Sequence, residues 1–103
     1  MMSTTKIEVS YFARATATNA GIWHKDRKGE EVTVFAGDWT GPGGTTMLAW
    51  GEFGRKHFGS AEEAFKEVRS LPREMYSFED VRDIKIFKEV KRIITEISEV
   101  QLP

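Results

Sequence analysis

From residue 6 to residue 18 apolar and polar side chains alternate, and that alternation restricts the backbone more than any other feature of the chain. Ile7, Val9, Tyr11, Ala13, Ala15 and Ala17 hold one set of positions, and Lys6, Glu8, Ser10, Arg14, Thr16 and Thr18 hold the other. Successive side chains of a strand point to opposite faces, so a period of two predicts a long strand with one apolar face. Phe12 breaks the rule by falling on the otherwise polar face. Asn19-Ala20-Gly21 then predicts a turn, because Asn and Gly tolerate positive φ. Ile22-Trp23-His24 resumes as a short extended segment, and residues 26–29 predict the next turn. Val32, Val34 and Ala36 alternate with Thr33 and Phe35, giving three antiparallel strands whose simplest arrangement is a meander. Residues 47–53 are apolar enough for a fourth strand, with Gly51 as the mark of a bulge. Tyr11, Trp23, Phe35 and Phe65 are expected in the core.

The sharpest local signal is Gly59-Ser60-Ala61-Glu62-Glu63. Ser60 can accept a bond from the amide three residues on while Glu63 reaches back, which is a capping box. Ala64, Phe65, Val68 and Leu71 follow at helical spacing and Pro72 blocks continuation, so a helix is predicted over 61–70. The C-terminal segment supports two readings. On a helical wheel Ile86, Phe87, Val90, Ile93, Ile94, Ile97 and Val100 share one arc, yet most are β-branched and suit a pleated surface. We read 81–90 as a strand that joins the sheet and covers its edge, with a second amphipathic helix as the alternative. Residues 91–100 stay open between the two. The expected fold is α+β: a single domain over 1–103, an antiparallel meander of three to five strands and one capped helix packed on it.

Composition removes several classes of function. The chain has no cysteine, which excludes thiol catalysis, disulfides and cysteine-based zinc sites. His24 and His57 have no metal-ligand spacing between them, so no metal and no cofactor is expected. There is no G-x-S-x-G elbow, and the acidic pair Glu62-Glu63 is explained by the first helical turn, so no catalytic residue is assigned and an enzyme is not expected. The N-terminus lacks a signal-peptide pattern, and no run reaches the ~20 apolar residues that span a bilayer, so a cytoplasmic location off the membrane is expected. Fifteen Lys and Arg against sixteen Asp and Glu leave a net charge of −1, which offers a phosphate backbone no global surplus and makes nucleic acid a poor partner.

What remains is a stretch that concentrates glycine and tryptophan: seven of nine glycines and two of three tryptophans lie between Gly37 and Gly59. Gly41-Pro-Gly-Gly-Thr-Thr46 is no phosphate loop, since a P-loop needs a lysine that this stretch lacks. Trp39, inside Gly37-Asp38-Trp39-Thr40-Gly41, has no periodic partner and is either tucked under the loop or displayed, and interfaces draw much of their energy from displayed Trp, Tyr and Arg. Trp39, Asp38 and Trp50, with the compact basic run Arg55-Lys56-His57, are therefore the candidate partner-binding residues. A second reading places single-stranded nucleic acid on the sheet, with Phe12 as a stacking platform and Arg14, Arg55 and Lys56 tracking phosphates. A third uses the glycine-rich loop and stacked aromatics to hold a nucleotide signal.

At Gly21-Ile22-Trp23 and His57-Phe-Gly-Ser-Ala-Glu-Glu-Ala64 the chain resembles small bacteriophage-encoded accessory proteins, in which a G-x-W near an early strand precedes F-x-S-x-E-E-A at the only helix. A charged terminal strand rich in Ile and Val completes that layout. The resemblance implies a non-enzymatic protein in the host cytoplasm that docks on and modulates or inhibits a host protein, including defence proteins. It carries over no functional residue, and the long glycine-rich insertion departs from the type. An uncovered sheet edge also leaves homodimerisation by strand addition open.

Overall fold

One long strand organises the sheet. β1 (Met2–Asn19) pairs antiparallel with β2 (Glu31–Thr40), and β3 (Thr46–Gly51) pairs with the outer side of β2. Helix α1 (Ala61–Val68) leads to β4 (Phe78–Ile97), which returns antiparallel along the other side of β1, so the order is β3-β2-β1-β4. These elements are those of a computed structural model, which describes residues 2–75 and 77–102. The α+β class and the C-terminal strand agree with the sequence.

Ala13, Ala15 and Ala17 of β1, Val32, Val34 and Ala36 of β2, Trp50 of β3 and Val81 of β4 form one buried cluster, closed by Val68 of α1. A row of alanines leaves room for the helix to lie close over the sheet. Ser60 caps that helix as its sequence demands: its Oγ accepts from the Glu63 amide at 3.1 Å, while Glu63 accepts from the Gly59 amide at 3.3 Å, one residue before the expected donor. The helix ends at Val68, two residues early. Ala64 and Val68 face the sheet and Phe65 is turned outward. Phe65 lies ~100° of helical rotation from Ala64, and the helix settles with Ala64 and Val68 rather than Phe65 against the sheet.

Two other expectations are corrected. Ile22-Trp23-His24 forms bends leading to a 3-10 turn at Lys25–Arg27, not a strand, and Trp23 is 71% exposed. Tyr11 and Phe35 are only partly buried. The turns themselves form: Asn19 Oδ1 accepts from the Gly21 amide at 2.8 Å, with Gly21 at φ 77° and Gly29 at φ 87°.

β4 runs through 91–97, and residues 98–100 lie beyond it. The helical arc dissolves into two faces: Ile86, Val90 and Ile94 oppose Ala13, Val9 and Thr5, whereas Phe87, Ile93 and Ile97 oppose Phe12, Lys6 and Met2. Two register shifts against β1 accompany Asp80 at φ 52° and Asp83 at φ 55°. Each shift places an extra β4 residue against β1, and aspartate is among the few residues that tolerate the left-handed region there. Arg82, between them, is held by Glu31 Oε1 at 2.6 Å, Asp80 Oδ2 at 3.1 Å and Thr18 Oγ1 at 3.2 Å.

β1 and β2 part company at Arg14↔Phe35. The chain at 56–58 fills the fork, where the Lys56 amide bonds Ala36 at 2.8 Å and Phe58 bridges Tyr11. Beyond it β1 and β4 continue alone to Met2↔Ile97 as a two-stranded arm. The molecule measures 64 × 34 × 30 Å with a radius of gyration of 19.3 Å. A compact chain of this length has ~13 Å, so the arm dominates the shape.

Candidate functional site

All three tryptophans of the chain line one concavity. Trp23, Trp39 and Trp50 meet there with Met47, Phe53, Met75 and Phe78 around a volume of about 370 Å³. A second hollow of about 220 Å³ shares Trp23, Phe53, Ser77 and Phe78 and adds Asn19, His24 and Glu52. The first hollow, with Trp23, Trp39, Trp50, Phe53 and Phe78 in a largely apolar wall, has the size and lining of a binding pocket.

Each wall is placed by a separate feature of the fold. Trp39 and Met47 are opposed on β2 and β3. The indole of Trp39 lies across Gly41, where an added Cβ would sit 2.8 Å from its Cζ3. Trp23, on the bend after Gly21, donates from Nε1 to Ser77 Oγ at 2.8 Å, so the connection into β4 fixes its edge. Trp50 belongs to the core at 3% exposure and forms the floor; its Nε1–H has no acceptor among the described residues. Gly37, Gly51 and Gly54 complete the lining. At Gly37 a side chain would strike the Gly54 carbonyl at 2.6 Å, so this glycine belongs to the wall, whereas Gly54 is at φ 77°. The turn uses Gly43 and Gly44, both at positive φ.

Trp39 stays 54% exposed and Phe53 90%, with Trp23 beside them. Large aromatics displayed together, rather than scattered, mark an interaction site. Among the described residues, the charged ones lining the two hollows are Asp38 and Glu52, with neither lysine nor arginine. Lys56 Nζ comes within 3.9 Å of Asp38 Oδ1 from outside. Near Glu52, Arg27 is held by Glu30 at 2.9 Å, and its pKa is raised by that hydrogen bond first and then by the charges of Glu30, Glu52 and Asp26.

Of the sequence candidates, Trp39, Asp38 and Trp50 converge on this concavity. Arg55 and His57 go elsewhere, to Glu89 of β4. Trp23, Phe53 and Met47 join the site without having been expected there. Trp23 follows a glycine turn, which was a usable signal, but its partner Ser77 is 54 residues away.

The open face of the sheet gathers the second set. Phe12 stacks on Phe87 and tilts against Phe35 at 6.1 Å. The Arg55 guanidinium lies 4.1 Å over Phe12, and that of Arg14 lies 4.3 Å over Phe87. The cations therefore cover the ring faces a base would need, and Arg55 is also bound to Glu89 Oε1 at 3.1 Å. Lys56 lies over Phe58 instead. Nearby, Ser10 Oγ is 2.9 Å and Glu89 Oε2 3.4 Å from the same atom, His57 Nδ1. A catalytic histidine needs the serine on one ring nitrogen and the acid on the other. This trio lacks that relay.

Among the described residues no group of three or more His, Cys, Asp or Glu is placed to hold a metal ion, and no helix is long and apolar enough to cross a membrane. Compared with protein-family models, curated proteins and solved structures, the chain matches none.

Proposed function

We propose that this chain is a non-enzymatic binding protein that docks on a partner protein and modulates or inhibits it, using the tryptophan concavity as its recognition surface. The observation that carries the reading is the convergence of Trp23, Trp39 and Trp50 with the displayed Phe53 on one hollow. The partner it fits presents a basic side chain. An arginine or lysine stem lies along indole faces, its charge is attracted to the ring quadrupoles, and its head reaches toward Asp38 and Glu52. A nucleotide's phosphates would find no lysine or arginine among the described lining residues of the hollows. The resemblance to phage accessory proteins supports a host protein as the partner, with defence proteins as one class.

The test is affinity capture from a candidate host with the intact chain and with Trp39→Ala. The expected result is a specific complex that Trp39→Ala weakens by about ten-fold or more, as loss of an interface anchor does. An equally strong complex from Trp39→Ala and Phe53→Ala would contradict the reading.

A further inference from the structure

The arm formed by β1 and β4 carries an apolar face that the described chain leaves uncovered. Directly opposed residues of an antiparallel pair share a face. The register therefore sets Thr5, Ile7, Val9 and Tyr11 beside Ile94, Arg92, Val90 and Lys88. This face is continuous with that of Ala13, which α1 covers further along. On the arm Ile7 is 60% exposed, Val9 46%, Val90 41% and Ile94 65%. A two-stranded ribbon alone in water is marginal, and a continuous apolar stripe on it calls for a cover.

We propose that the cover is the same face of a second copy, packed antiparallel about a two-fold axis at the level of Ile7 and Arg92. This inference is independent of the tryptophan concavity. The direction follows from α1. Stacked sheets lie ~10 Å apart, the layer a helix also fills, so parallel packing would drive two helices into one space. Antiparallel packing sends each arm toward the other's helix. The free end at Met2↔Ile97 can advance to the level of Phe12, just short of the helix-covered Ala13, and that limit puts the axis at Ile7.

The chemistry matches in this register. Val90 lies over Ile94 of the second copy, Val9 over Thr5, and Ile7 over Ile7. Lys88 lies over Glu96 of the second copy, an opposite-charge pair made twice by symmetry. Arg92 meets its own counterpart at the axis; β4 is an edge strand, so both stems can cover apolar surface while the guanidinia reach water. Eleven levels at ~3.4 Å and two strands ~4.8 Å apart give a footprint on the order of 400 Å² per copy. That is about half of the ~800 Å² per partner of a standard interface, so the dimer is a weak one.

Sedimentation equilibrium of the intact chain from micromolar to high micromolar concentration tests this. A monomer–dimer equilibrium is expected, weakened about ten-fold or more by Ile7→Asp and by Lys88→Glu or Glu96→Lys singly. The double variant Lys88→Glu with Glu96→Lys is expected to restore the dimer, which a folding defect would not do, and Arg92→Leu is expected to tighten it. A monomer throughout the range overturns the proposal. So does a dimer indifferent to these substitutions, which would place self-association on a strand edge.

Discussion

The ring of Phe12 on β1 stacks on that of Phe87 on β4, with centroids 5.3 Å apart and planes 16° from parallel. The residue that breaks the alternation of β1 therefore does so to pack, under the guanidinium of Arg55. Phe12→Ala is expected to cost about 2–3 kcal/mol in urea unfolding, less than a fully buried phenylalanine because the ring is half-buried. A change below ~0.5 kcal/mol would show that the ring is idle and free to stack on something else.

Gly37 separates the walls of the concavity from its turn. Gly37→Ala is expected to destabilise the protein by about 1–3 kcal/mol, since its Cβ meets a backbone carbonyl that cannot rotate away. Thermal unfolding measures this directly. An unchanged melting temperature would mean that the chain at Gly54 yields.

Ser60→Ala removes the acceptor for the Glu63 amide. A loss of about 1 kcal/mol is expected, read as a fall of roughly 4–8 °C in melting temperature for a domain this small. Ser60→Asp is expected to keep the stability, because aspartate caps equally well.

Asp83 holds a positive φ at a bulge in β4. Asp83→Gly is expected to leave unfolding within about 0.5 kcal/mol of the parent or improve it, whereas Asp83→Val, which cannot adopt that angle cheaply, is expected to cost ~1–3 kcal/mol. Equal effects of the two would remove the backbone explanation.

These contrasts show which features the sequence can reveal. The capping of Ser60 and the turn at Asn19 are made by neighbours three residues away or fewer, so local chemistry decides them. The strand at β1 is legible for the same reason. That its first half would carry no third strand was not legible, because it depends on β2 turning off at Phe35 and on Phe58 entering the fork. Phe65 departs from expectation because helical spacing says which residues can share a face, while the way the helix settles on the sheet says which do. Its isolation in a glycine-rich segment left Trp39 open between tucked and displayed, and the structure leaves it 54% exposed. Trp23 was not legible as part of the site, since its place is set by a hydrogen bond to Ser77 from the far side of the sequence.

The central claim is that the three tryptophans form a recognition surface for a basic, apolar-stemmed side chain. Selection from a displayed random-peptide library, followed by affinity measurement on the enriched peptides, tests it whatever the natural partner is. The account expects peptides anchored by arginine or lysine, whose binding falls about ten-fold or more in Trp39→Ala and Phe53→Ala at nearly unchanged melting temperature. Absence of enrichment, or peptides that bind these variants as tightly as the parent, would contradict it.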